Sequence, residues 1–509
     1  MRLQLGKEHQ MITRYADSRI TRYWDERQKF KSWQETELAV IHAREQMGTI
    51  PAGSCDRIRE LLTANDIDTG FINEREKVLN HDLNAFLEER MRFLPHDLSA
   101  YFHMGMTSYD TEEPVFVNTL YLSVIAVMSD TRRLMDRLRD MAITYRYTPM
   151  NARTHGQEAE MQSFGKRCLT WNVDLAAALN ALERSEGNLK YSKLSGAIGS
   201  YSGIDPKLEE LALSHLELKP WYGSTQIMPR VLYSPVAGAL ADIAMVMDKI
   251  ATDIRLGSRS GRPLWHEPFG RSQKGSSAMP HKKNNITGEN TEGMAIMARQ
   301  YAGALCEVIK TWEERDISQS SVERVFWPDL FHVTLRAIKN VQKIMDGLVV
   351  YPDNMMIEII ESRGTYASSR AKEILLEFGS EFGMKREEAY RIVQLACFNV
   401  FGPSEDAASI REMSFSTRES SDLALQTLRA KMAKMIGAVT IDSIQDIILS
   451  GRLRPSEQLD VDAHTVANWN TVLLLMFLDV DKRKKWDQIF QPAHILANEN
   501  ILFSKIYGV

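Results

Sequence analysis

Residues Val115–Thr148 read VFVNTLYLSVIAVMSDTRRLMDRLRDMAITYRYT, a stretch with neither glycine nor proline. Within it Leu120, Val124, Val127, Thr131, Leu134, Leu138, Met141 and Tyr145 recur at alternating steps of four and three. That spacing lays them along one narrow face of a helix. At 1.5 Å per residue the stretch predicts a rod of roughly 50 Å. Helices this long bury their seam in bundles, often against partner chains. Ser404–Ile436 is a second stretch free of both helix breakers, and proline is sparse, at 16 in 509 residues. Period-2 strand patterns are scarce, and no short repeat or low-complexity segment occurs. Ser192–Asp205, Lys219–Arg230 and Gly257–Lys282 are richer in Gly, Ser and Pro and read as loops. The expected fold class is mainly all-α in three parts. A mixed, helical N-terminal domain takes residues 1–113. A central long-helix bundle takes 114–363, and a smaller helical domain takes 364–509.

The bulk numbers exclude several function classes. A chain of 509 residues with 44% hydrophobic content has ample material for a large core. A formal net charge of −5 and a pI near 6.2 give no reason to expect a nucleic-acid partner. Cys55, Cys168, Cys306 and Cys397 are far apart and form no metal-type cluster, which fits a reducing compartment. The opening MRLQLGKEHQ is polar, without the apolar core of a signal peptide. No apolar run approaches the ~18 residues that span a bilayer. The longest, Val472–Leu478, reads as a short buried helix segment. A soluble cytoplasmic protein with no membrane partner is expected.

Four segments carry chemistry. The Gly/Ser-rich loop contains Gly275-Ser-Ser-Ala-Met-Pro-His-Lys-Lys-Asn284. His103-Met-Gly-Met-Thr-Ser-Tyr-Asp110 stands at the start of the long helix, where Thr107 and Ser108 could cap it or bind a carboxylate. Arg153-Thr-His-Gly-Gln157 runs on to Phe164-Gly-Lys-Arg167. Glu314-Arg-Asp-Ile-Ser-Gln-Ser-Ser-Val-Glu-Arg324 would otherwise pass for a charged turn between helices.

Together these segments resemble the fumarase/aspartase superfamily of lyases. The loop matches its signature GSSxMPxKxNP, His103–Asp110 its "TSxD" block, and RTHGQ its second block. The segment from Glu314 is similar to the adenylosuccinate lyase branch in particular. Weaker echoes occur in family order: Arg14-Tyr15, His81-Asp82 with Ala85-Phe86, Ser195-Gly196-Ala197 with Gly199, and Ser224-Thr225-Gln226. The resemblance covers roughly residues 10–400. It implies cleavage of a C–N bond β to a carboxylate with release of fumarate, from adenylosuccinate and from the related succinylated carboxamide ribotide of purine synthesis. The alternative is a fumarate-releasing lyase of the same superfamily acting on another N-substituted aspartate. It also implies a nucleotide substrate, no metal or organic cofactor, and a homotetramer whose active sites are shared between subunits.

The chemistry explains why such residue types are needed. Removing a proton beside a carboxylate leaves an aci-carboxylate with two negative charges, which demands preorganised donors and a cation. Lys282 and Asn284, with Thr107 and Ser108, are the right types. One such donor is typically worth about 10²–10³ in rate. By resemblance Ser276 is the base. Its alkoxide would need nearby positive charge and backbone N–H groups. By resemblance His155 is the acid that protonates the leaving nitrogen. Thr154 and Met279 flank these two. His81 and His103 match the other active-site histidines. Arg14, Tyr15, Arg315, Ser320 and Arg324 match positions that hold the phosphate or its neighbours, where arginine's fork suits an anion. Gln226 resembles a residue contacting the succinyl part.

The sequence also departs from the family pattern. Gln162-Ser163 stands before FGKR where Thr-Thr or Thr-Ser is usual, and Asn285 stands where the signature has proline. Only Arg230 remains of an Arg-Asp-Arg-His element. Tyr109 replaces a serine and Gln319 a histidine. These changes sit nearer to substrate-shaping positions than to the base or acid.

Overall fold

The computed structural model describes residues 11–401, 442–456 and 459–509. The stretch Ser404–Ile436 lies outside the described residues. Backbone contacts divide the chain into two compact units. The first takes the residues up to Arg139, then Thr170–Gly261 and Trp265–Val349. The second takes Asp140–Leu169, Arg262–Leu264 and the described residues from Val350 onward.

The fold is mainly helical, as the periodicity predicted. The longest helix runs Ser108–Thr144, a rod of about 55 Å at 1.5 Å per residue. Leu120, Val124, Val127, Thr131, Leu134 and Leu138 of the expected seam are fully buried, and Met141 is nearly so. Tyr145 is half-buried just past the helix end. The helix begins well before the breaker-free stretch and continues through Pro114. In the same unit Ser234–Gly257, Ile286–Glu307 and Ser318–Gly347 pack on one another. Their shared core is made of Leu240, Ile243, Met247, Leu330, Phe331 and Ile338 among others. The long helix is fastened to this group by Arg137, whose guanidinium donates to the Met345 carbonyl at 2.8 Å. A second core, under the helix Glu26–Gln46, stacks Phe30 on Phe86 at 5.9 Å, with Trp33 edge-on to both.

The second unit holds a hairpin that the sequence reading did not anticipate. Pro149–Thr154 pairs antiparallel with Gln157–Ser163, joined by the two residues His155 and Gly156. Both have positive φ, 53° and 78°, as a tight hairpin turn of the right twist requires. A bulge between Asn151 and Arg153 breaks the strand alternation that would have signalled it. The unit's core joins Ser368–Gly379, Arg386–Phe401 and Ala463–Met476 around Leu375, Leu395, Leu473 and Trp486.

Two expectations about apolar segments change. Val472–Leu478 is not a buried run. Leu473 and Met476 are inside, but Leu474, Leu475 and Leu478 are 50%, 52% and 76% exposed, because the run wraps around a helix that buries one face. Ser108–Thr144 and Arg230–Gly257 are each long and apolar enough to cross a membrane by length and composition. Small residues raise the mean where no unbroken apolar run exists. About half of each window is buried inside the fold, as for a bundle helix.

Candidate active site

The start of the long helix is built by a carboxylate rather than by hydroxyl caps. Asp110 accepts from the Thr107 backbone N–H at 2.9 Å with one oxygen. With the other it meets the Lys193 ammonium at 2.7 Å and the Gly196 N–H at 3.2 Å, all sealed from solvent. Lys193 also donates to the carbonyls of Gly196 and Gln226, tying the segments around Ser195 and Gln226 to the helix start. Gly199 has φ 76°, and a Cβ there would run into the Ser224 carbonyl. This framework leaves the Thr107 and Ser108 hydroxyls off the helix's own backbone. Ser108 Oγ instead lies 3.3 Å from His81 Nε2. His81 caps the helix Asp82–Met91, its Nδ1 accepting from the Asn84 N–H at 3.4 Å. That leaves the ring proton on Nε2, toward Ser108.

His103 is held by a residue that carried no motif signal. Glu37, fully buried on the helix Glu26–Gln46, accepts from the His103 N–H at 2.9 Å, from its Nδ1 at 2.8 Å and from the Thr111 hydroxyl at 2.6 Å. Three donors on one carboxylate fix the His103 proton on Nδ1 and leave Nε2 free for a ligand. The backbone at His103 has φ 59°, a left-handed turn that brings the ring to the carboxylate.

The arginine segment converges on the same helix start. Arg315 donates to Gln226 Oε1 at 2.8 Å, and its guanidinium lies over the Tyr109 ring at 4.2 Å. Burial pushes the Tyr109 phenol up to about 12, so it stays neutral. Arg324 donates to Asp82 at 3.3 Å and lies 4.0 Å from Glu112. Burial pushes Asp82 up, but the Lys29 and Arg324 charges outweigh it and hold Asp82 below the usual carboxylate range. Burial, with the Asp82 charge beside it, pushes Glu112 up to about 7. Ser320, Arg324, Tyr109 and Glu112 face a cavity of about 460 Å³ whose far wall includes Trp24 and Trp33. Beneath lies Arg230, buried between Glu113 and Glu323 and 3.0 Å from the latter. His81, His103, Thr107, Ser108, Gln226, Arg315, Ser320 and Arg324 thus form one patch on the first unit.

The remaining expected residues lie on other segments of the chain. In the signature loop, Ser276 Oγ accepts from the backbone N–H groups of Met279 at 3.1 Å and Ala278 at 3.3 Å. Asn284 closes the loop base by donating to the Gly275 carbonyl at 2.7 Å. Met279 and Lys282 are exposed. Thr154 and His155 are exposed at the hairpin of the second unit. Arg14 and Tyr15 sit in a turn before the first described helix, with Arg336 5.9 Å from the Tyr15 ring. Among the described residues no group of three or more His, Cys, Asp or Glu is placed to hold a metal ion.

Comparison with known proteins places this geometry. A family model described as Lyase matches residues 16–299. The adenylosuccinate lyase of Thermotoga maritima is 38% identical over 384 residues, 75% of this chain and 87% of that protein. That of Aquifex aeolicus is 36% identical over 385 residues, with the same shares. That of Bacillus subtilis is 33% identical over 384 residues, again with the same shares. Solved structures share the fold at lower identity. The β-carboxy-cis,cis-muconate cycloisomerase of Acinetobacter calcoaceticus gives a TM-score of 0.69 at 18% identity, covering 94% of this chain and 95% of that one. A fumarate lyase from Mesorhizobium gives 0.69 at 17%, covering 94% and 98%. A connected patch of family residues and these matches along most of the sequence lead to one conclusion: the chain is a member of the lyase family to which the adenylosuccinate lyases belong.

Proposed function

We propose that this chain cleaves the C–N bond of adenylosuccinate by β-elimination, giving AMP and fumarate, and acts likewise on the succinylated carboxamide ribotide of purine synthesis. The observation that carries the substrate is the likeness to adenylosuccinate lyases over 87% of their length, at 33–38% identity. Ser276 takes the proton from the carbon beside the succinyl carboxylate. Its Oγ already receives two backbone N–H groups, the setting that favours an alkoxide. Lys282, with the Thr107 and Ser108 hydroxyls, meets the charge that builds up on the carboxylate. As the C–N bond breaks, its electron pair leaves on nitrogen and His155 supplies the proton. The carbanion pair becomes the double bond of fumarate.

His103, oriented by Glu37, and His81, oriented by Asn84, present ring nitrogens toward the substrate. Arg315, Ser320 and Arg324, with Arg14 and Tyr15, receive the phosphate and the groups beside it, and Gln226 the succinyl part. Thr154, Met279 and Asn284 shape the approach to the base and the acid.

The working form in this reading is a cytoplasmic homotetramer with sites shared between subunits. The exposed apolar residues Leu122 and Ile125 on the long helix, and Ile296 on Ile286–Glu307, are candidates for its buried faces. Ser276→Ala and His155→Ala are expected to leave a folded protein whose turnover of adenylosuccinate has almost vanished. Near-normal turnover in either would refute that role.

A further inference from the structure

Two departures from the family pattern meet in space. Tyr109 stands where the resembled block has serine, and Gln319 where it has histidine. They are 210 residues apart in sequence, yet Gln319 Nε2 donates to Tyr109 Oη at 3.1 Å. Gln319 is sealed from solvent, at 1% exposure, and Tyr109, at 5%, stands at the wall of the cavity that Ser320 and Arg324 also face. Gln319 is held in turn by Glu323, 3.5 Å from its Nε2. The Tyr109 ring is the surface on which the Arg315 guanidinium rests, 4.2 Å from the centroid. Arg315 then reaches Gln226 at 2.8 Å. A serine at 109 would offer no ring face. Replacing Gln319 alone would strip the buried Tyr109 hydroxyl of this donor.

We propose that the hydrogen-bonded pair Tyr109–Gln319 is a positioning device that aims the Arg315 guanidinium at an anionic group of the substrate. This rests on the reading of the site as a nucleotide lyase and deepens it. The ring face holds the planar guanidinium flat, and the Gln226 oxygen fixes its rotation. The remaining N–H donors then point in a set direction. Substrate affinity, rather than the proton transfers themselves, depends on that aim. A stack on a desolvated ring changes affinity by roughly tenfold.

The test is a kinetic cycle on the full chain with adenylosuccinate. Tyr109→Leu removes the stacking face and Gln319→Leu removes the donor that holds it. Tyr109→Phe keeps the face and serves if the leucine variant does not fold. Each leucine variant is expected to raise KM about tenfold, with kcat changed less than KM. Phe at 109 is expected to fall between leucine and the wild type. In an Arg315→Ala background the Gln319→Leu change should add nothing further to KM, because its effect passes through the arginine. An unchanged KM in the leucine variants of an active enzyme overturns the inference alone. So does the same fold increase with Arg315 already removed, which would mark the pair as core packing. A folded wild-type chain that releases no fumarate overturns the substrate reading, and this inference with it.

Discussion

Gly275→Ala is the substitution whose effect follows most directly from the geometry. A Cβ at 275 would overlap the Lys282 carbonyl oxygen outright, 2.9 Å from its carbon and 3.1 Å from the Lys283 Cα. Non-bonded carbons prefer about 3.5–4.0 Å, so the Lys282 carbonyl must retreat by more than about half an ångström, and its oxygen further. All the neighbours are backbone, and no flexible side chain can give way. The same movement pulls on the 2.7 Å bond from Asn284 to the Gly275 carbonyl and on the turn that presents two N–H groups to Ser276. A shift of about 1 Å in a catalytic group costs on the order of 10²-fold in rate. Because the overlap is with backbone, relieving it also costs the folded state, on the order of 0.5–3 kcal/mol. The assay is fumarate release from adenylosuccinate, run beside a thermal melt. The expected result is a loss of about a hundredfold at an assay temperature where the melt shows the variant still folded. Activity within about threefold of wild type would refute the reasoning, since a loop that absorbs the methyl so easily is not preorganised.

Three further outcomes follow from buried charge. Glu37→Gln leaves the shape of the carboxylate but weakens the bonds that orient His103, each worth about 1.5–3 kcal/mol when charge-assisted; kcat should fall at least tenfold while circular dichroism is unchanged, and full activity would mean that His103 needs no orienting partner. Arg230→Ala strands Glu113 and Glu323 in the core and should cost about 3–5 kcal/mol in a urea melt, whereas a loss under about 1 kcal/mol would show that the carboxylates re-pair or are hydrated. Glu112 ionises near pH 7 when folded, against 4.5 for the free side chain; across that window the folded state binds the extra proton, so this group's stabilisation is present at low pH and is lost as pH rises through about 7. Glu112→Gln should therefore melt above wild type at pH 8, with the gap closing by pH 5, and a gap independent of pH would contradict it.

The long helix was legible because its seam repeats regularly over many turns, and a periodic signal survives one proline at its start. The hairpin was not, because its bulge breaks strand alternation and its turn depends on positive φ at His155, a backbone state that residue identity does not announce. His81, Ser108, Gln226, Arg315 and Arg324 meet around one helix start, a grouping of segments far apart in sequence that only the fold displays. Their supports were hidden. Glu37 lies in a helix that carries no motif, Lys193 has none either, and Asp110, though it ends a motif block, shows its ion pair with Lys193 only in the fold. Tyr109 and Gln319 stood out one by one, but only the fold brings them into contact.

The central claim is tested most directly by incubating the purified chain with adenylosuccinate and quantifying fumarate and AMP together. Equal amounts of both are expected, with release abolished by Ser276→Ala. A folded wild-type protein that releases neither would contradict it.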